Sequence, residues 1–241
     1  NKIKSLQVFY NEKKVGTLAL MKNNIVAFEY DSNWITNGFS ISPFSLPLKK
    51  QVFIPRIDPF DGLYGVFSDS LPDGWGRLLV DRMLNSQNIN PREISQIDRL
   101  AIVGETGMGA LSYKPEYNLL EDKDYQEDYD NLALSCKKIL NTEYSADLDK
   151  LFKLGGSSGG ARPKILTKID NEDWIIKFPS SLDDSNIGEL EYLYSVCAKK
   201  CKIDMPETKL FPSKISSGYF GIKRFDRKKL STGAIRKLHM I

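Results

Sequence analysis

Apolar and polar positions alternate with a period of two over residues 3–10, 15–20 and 25–30, where β-branched and aromatic side chains are concentrated. Alternation of this kind puts the apolar side chains on one face of an extended chain, so it predicts three short strands, the first two joined by a turn at residues 11–14. Between residues 67 and 84 the period changes. Ser68 or Asp69 can cap a helical start, Pro72 suits a first turn, and Leu78, Leu79, Arg82 and Met83 follow at helical spacing, which predicts one helix over 67–84. A second helix is read over 91–102. The glycines of 104–109 then form a turn that feeds another strand.

Between residues 119 and 131 the chain turns acidic, with Glu121, Asp122, Asp124, Glu127, Asp128 and Asp130 set against a single lysine. This run marks a boundary. An amphipathic helix is expected over 132–154, a stretch that contains no proline or internal glycine. Two strands follow at 163–169 and 174–178 with a turn at 170–173, then a helix over 187–200 and strands at 207–211 and 219–225. The fold class is α+β, with a β-rich first part, and neither repeats nor low-complexity tracts interrupt it.

Bulk composition narrows the function classes. At 241 residues, 41% hydrophobic and 27% charged, the chain can build one large core or two small ones. Thirty-four basic against 31 acidic residues leave +3, too near balance for net charge to argue for nucleic acid or an anionic membrane. Three cysteines are too few for a disulfide scaffold, and one histidine is too few for a Cys/His zinc cluster. Cys197 and Cys201, one helical turn apart, are read as helix-packing residues. No segment has the length of apolar chain that a spanning helix needs, so a cytoplasmic location without membrane attachment is expected.

Chemistry concentrates in Leu154-Gly155-Gly156-Ser157-Ser158-Gly159-Gly160-Ala161-Arg162-Pro163-Lys164. Glycines without Cβ atoms let successive backbone N–H groups turn toward an anion, although a glycine-serine segment also serves as a plain flexible turn. The following residues distinguish between phosphate machines. A Walker-type loop runs Lys-Ser/Thr straight into a helix, whereas Lys164 follows Pro163 and opens a strand. A glycine loop beside strands, a lysine on a following strand and a glutamate on the next helix is instead the order of a kinase small lobe, with Lys177 and Glu191 in those places. The two are expected within salt-bridge reach, and the 155–160 loop is expected to be poorly packed. Arg162 and Lys164 either touch phosphate or face solvent. The basic run from Lys223 to Lys237 is either a solvated face or a phosphate contact.

The order of several motifs resembles the HipA family of toxin kinases from toxin–antitoxin pairs. It is carried by Ser45-Leu46-Pro47-Leu48, Phe67-Ser68-Asp69-Ser70-Leu71-Pro72-Asp73 with Trp75-Gly76-Arg77, Gly107-Met108-Gly109-Ala110-Leu111, the glycine loop, Ile176-Lys177-Phe178-Pro179, Glu191-Tyr192 and Arg224-Phe225-Asp226-Arg227. The resemblance implies a HipA-type N-terminal subdomain over residues 1–118, an acidic linker and helix over 119–154, and a protein-kinase-like (PI3/4-kinase-like) N-lobe over 155–241. It implies ATP as ligand, with Gly159, Gly160, Ala161, Arg162, Pro163 and Lys164 as the phosphate loop and Lys177 as the phosphate-contacting lysine. Lys223, Arg224 and Phe225 would be the hinge that meets adenine, Asp226 would lie near the ribose, and Ser157 would be the regulatory autophosphorylation site.

The same resemblance places the catalytic loop and the Mg²⁺ ligands beyond Ile241, so no catalytic or metal residue is assigned and residues 1–241 alone are expected to bind ATP weakly and to be inactive. The activity implied for the whole gene product is protein serine/threonine phosphorylation. Two alternatives stand beside it: a module that binds a HipB-like antitoxin, and through it operator DNA, or a pseudokinase that binds nucleotide without turnover. An aminoacyl-tRNA synthetase or another translation factor is the substrate that the family implies.

Overall fold

A computed structural model describes residues 3–117, 119 and 128–239. In chain order the elements begin with β1 (Ser5–Tyr10), β2 (Lys13–Leu20), β3 (Val26–Tyr30), α1 (Ser32–Asn37), β4 (Val52–Phe53), α2 (Gly65–Ser68), α3 (Gly74–Ser86), α4 (Gln96–Val103) and β5 (Leu111–Lys114). They continue with α5 (Tyr129–Leu140), α6 (Leu148–Gly155), β6 (Lys164–Ile169), β7 (Glu172–Lys177), α7 (Ile187–Lys200), β8 (Thr208–Phe211), β9 (Tyr219–Lys223), β10 (Arg227–Lys229) and β11 (Ile235–Lys237). The mixture of helices with antiparallel sheets is α+β.

The chain divides into two compact units. The first holds a five-stranded sheet in the order β4-β3-β2-β1-β5, in which neighbouring strands pair antiparallel. Alternation decides which face is covered: Leu6, Val8, Leu18, Val26 and Phe28 are fully buried and pack with Phe67, Ile97, Leu100 and Tyr113. Each such side chain contributes roughly 1.5–3 kcal/mol by leaving water. The second unit holds the four-stranded sheet β6-β7-β9-β8, antiparallel throughout. Its core joins Ile165, Ile176 and Phe178 to Trp75 and Leu79 of α3, Leu132, Cys136 and Ile139 of α5, and Leu151 of α6.

The units are not consecutive in sequence, whereas the resemblance implies consecutive divisions at 118 and 155. Asp73–Ser86 groups with the described part of Leu120–Arg227, and the chain from Lys228 returns to the first unit. Burial explains the first exchange, since Trp75 is 1% and Leu79 0% exposed within the second core. Hydrogen bonding explains the other: the Asn11 side chain donates to the Lys237 carbonyl (3.0 Å) and accepts from its N–H (2.7 Å), as a strand backbone would.

Two long helices of the sequence reading are each broken. Residues 67–84 contain the end of α2 and most of α3, with Pro72, which has no N–H to donate, between them and Gly74 at φ +43° opening α3. Ser68 therefore ends α2 and Asp69 is its C-terminal cap, so neither caps a helical start. Residues 132–154 are split where Asn141 caps α5 and Thr142 adopts φ +67°, a break without glycine or proline. The β6–β7 turn is two residues, Asp170 and Asn171, both left-handed, so β7 begins at Glu172. The acidic positions 121–127 lie outside the described residues. Cys197 and Cys201 are exposed, which corrects their reading as buried packing residues, whereas Cys136 is buried.

Candidate functional site

Antiparallel register builds the centre of the site. β6 opens at Lys164 and β7 closes at Lys177, and the two residues are direct cross-strand partners. Two amines thus stand side by side at one end of the sheet, next to the chain that carries the glycines. A directly opposed like-charged pair is unfavourable unless something negative answers it. Glu191, on the first half of α7, does so: its Oε1 accepts a hydrogen bond from Lys177 Nζ. The Lys177 ammonium also lies 5.3 Å from the centroid of the Phe220 ring.

The position of Glu191 depends on how α7 is seated. A Cβ on Gly188 would come within 2.2 Å of the Gly218 carbonyl, so only glycine allows the helix start to touch the β9 end. Further along, the buried hydroxyls of Ser195 and Thr208 meet at 2.9 Å, and Lys199 Nζ donates to Thr208 Oγ1 (3.1 Å).

The glycine segment has two halves. Gly155 ends α6, Gly156 caps it through its N–H to the Phe152 carbonyl, and both glycines and Ser158 are buried. A Cβ on Gly155 would lie 2.6 Å from the Lys164 carbonyl and 3.1 Å from Trp75 Nε1, and Ser158 Oγ donates to the Gly155 carbonyl at 2.6 Å. The expected loose packing therefore fails for this half, because glycine offers a close fit to neighbouring backbone where it offers no apolar surface. Ser157 is half-buried between the two halves.

From Gly159 to Arg162 the chain is exposed, and Gly160 has φ +88°. Its N–H donates to Oδ1 of Asp73, and its carbonyl accepts from Trp75 N at 3.0 Å. Lys164 Nζ donates to the carbonyls of Gly159 and Gly160. Burial, aided by the Lys177 charge and opposed by Asp73 and Glu191, pushes the Lys164 amine down to about 8. Ala161 is exposed, and the buried Pro163 accepts from Phe178 N through its carbonyl (2.8 Å).

Several expected site residues are committed elsewhere. Arg162 forms a fork with Asp183, Nε and Nη2 to the two carboxylate oxygens at 2.9 and 2.8 Å. That guanidinium, with the Ser180 N–H, holds the Asp183 carboxyl well below the usual carboxylate range. Lys223 N donates to Glu207 O (2.9 Å) and Arg224 N to Asp173 O (2.8 Å), so both amides serve the sheet. Phe225 is 57% exposed. Asp226 is 1% exposed, and its carboxylate accepts from Arg224 Nε and Nη2 and from Arg227 Nη1 at 2.7–2.9 Å. Its acceptors face two guanidinium groups, which leaves no open carboxylate for a ribose. Lys223 pairs with Trp174, three residues from Lys177 along β7, or about 10 Å by strand rise.

The residues that sequence reasoning missed are Asp73, Asp183 and Phe220. Asp73 stands 87 positions from the Gly160 amide it binds, and its Leu-Pro-Asp-Gly context reads locally as a turn. No local signal in Asp183 or Phe220 points to the partners they hold. His239, set aside as neutral, has its Nε2 3.3 Å from the Ile41 carbonyl within the first unit.

Among the described residues no group of three or more His, Cys, Asp or Glu side chains could hold a metal ion. None of the described helices is long and apolar enough to cross a membrane. Residues 6–114 match a family model described as the HipA N-terminal domain, and residues 156–241 match one described as a HipA-like C-terminal domain. No curated protein matches the chain.

Proposed function

The chain belongs to the HipA family, and from that premise we propose that its second unit is the nucleotide-binding lobe of a serine/threonine protein kinase acting as the toxin of a toxin–antitoxin pair. The carrying observation is the Lys177–Glu191 ion pair beside a glycine segment that ends on the neighbouring strand. In phosphoryl transfer the protein's work is positioning and charge stabilisation. A lysine held by a helix glutamate at the open end of a sheet is built for the first, and a second amine at Lys164 adds to the second.

On this reading the triphosphate of ATP lies against the exposed backbone of Gly159–Ala161, with Lys177 and Lys164 as cations. Arg162 acts through Asp183 to fix the exit of the loop, and Asp226 acts as a buried clamp on the chain after β9. Adenine contacts fall to the exposed Phe225. For Mg²⁺, no group of three or more His, Cys, Asp or Glu side chains stands ready among the described residues. Ser157, at the joint between the fixed and exposed halves of the loop, suits regulation by phosphorylation, because an added dianion there would disturb the seat of the glycine chain. A HipB-like antitoxin is the proposed partner, with an aminoacyl-tRNA synthetase or another translation factor as the proposed protein substrate.

Calorimetric titration of residues 1–241 with ATP and Mg²⁺ tests the core of this reading. Loss of a charged contact is worth about 1.5–3 kcal/mol, so Lys177→Ala should weaken binding by roughly 10- to 100-fold. Equal binding by wild type and Lys177→Ala would refute the assignment.

A further inference from the structure

Phosphate binding by a glycine segment depends on backbone N–H groups that are free to turn to the ligand, and one of these is already engaged. The Gly160 N–H donates to the carboxylate of Asp73. The carboxylate also lies against Gly159, where an added Cβ would come within 3.1 Å of Oδ1. Its charge acts on Lys164 in opposition to burial and to the Lys177 charge. Three features that would receive a phosphate, a left-handed glycine amide, a neighbouring glycine without Cβ and a lysine amine, thus meet a carboxylate supplied by the chain itself.

We propose that Asp73 is an internal anion that competes with the nucleotide phosphates for the glycine loop, so that it sets the affinity and phosphate selectivity of the site. The inference rests on the nucleotide reading above and adds a regulator to it. One N–H cannot donate well to two anions at once, and a carboxylate left next to an incoming polyphosphate repels it. Asp73 is also built to leave. It is exposed and begins the chain just before α3, whereas Trp75, two residues on, is fixed by burial, by its N–H to the Gly160 carbonyl and by its indole N–H to the Lys164 carbonyl (3.1 Å). The backbone of the loop is therefore held by Trp75 and Lys164 when the Asp73 side chain swings away. Gly74 between them, at φ +43° and with its Cβ position 2.7 Å from the Gly160 carbonyl, lets the chain pass that close.

Competition and simple anchoring predict opposite signs. If Asp73 competes, Asp73→Asn and Asp73→Ala both strengthen binding, since either removes the charge. If it anchors the loop, Ala weakens binding and Asn largely preserves it. The gain should be about threefold to tenfold, the size of one exposed charge-assisted hydrogen bond in water.

The test titrates residues 1–241, as wild type, Asp73→Asn and Asp73→Ala, with ATP, ADP and adenosine, and uses tryptophan fluorescence to check that the fold is intact. The expected result is tighter ATP and ADP binding in both variants with adenosine unchanged. If wild type binds ATP and the variants bind it equally or more weakly, the competition inference falls and the nucleotide reading stands. A gain that extends equally to adenosine also overturns it, because the effect is then not on phosphate. If none of the three proteins binds ATP, the nucleotide reading fails and takes this inference with it.

Discussion

Lys164 is an amine that burial and a neighbouring cation make easy to deprotonate. With its folded value near 8 and the unfolded value near 10.5, the unfolded chain holds this proton more tightly. The contribution of this residue to stability therefore increases as pH rises from about 8 to 10.5, while its charge in the folded protein is lost around pH 8. Phosphate needs the charge, so ATP affinity should fall as pH rises through about 8, and Lys164→Arg should flatten that fall because a guanidinium stays protonated. Titrations at about pH 7 and about pH 9 measure it. A wild-type affinity that is constant across this range would remove Lys164 from the phosphate contacts. Lys177 and Glu191 were legible at this scale because a kinase-like order of loop, strand and helix predicts them as a pair. Asp73 and Asp183 were not, since a carboxylate's partner across 87 or 21 residues is set by tertiary packing.

Among the elements, α7 decides whether Glu191 reaches Lys177. Its seat depends on Gly188, where an added methyl would overlap the Gly218 carbonyl. Gly188→Ala should cost about 1–3 kcal/mol by overpacking, in spite of alanine's better helix propensity. Thermal unfolding should show the lowered midpoint, with weaker ATP binding at temperatures where the protein is still folded. An unchanged midpoint would mean that the helix start can move aside without cost. The two-residue period marked the first three strands, and the other strands of the two sheets except the two-residue β4 were expected, as was a helix over 187–200. The breaks at Asn141–Thr142 and around Pro72–Gly74 were harder to place, because a left-handed Thr142 carries no mark in the sequence and Pro72 is equally at home inside a first helical turn.

At the scale of the whole molecule, the interleaved units make a consecutive cut harmful. A fragment of residues 120–241 loses α3, and with it the fully buried Trp75 and Leu79 of the second core. Removing a buried tryptophan alone costs about 3–5 kcal/mol, comparable to the stability of a small domain. That fragment should show no cooperative urea transition, and Trp75→Ala in the longer chain should lower the midpoint sharply; a cooperative fragment would contradict the grouping of α3 with the second unit. Composition pointed to a boundary near the acidic run but could not show this exchange, since which core takes α3 depends on where Trp75 and Leu79 are buried. The central claim is that the glycine segment and the Lys177 strand end receive the phosphates of ATP, and amide hydrogen exchange on residues 1–241 with excess ATP and Mg²⁺ tests it most directly. The account predicts slowed exchange across Gly159–Leu166 and the chain around Lys177, lost in Lys177→Ala. Protection confined to the first unit, or none at any ATP concentration, would contradict it.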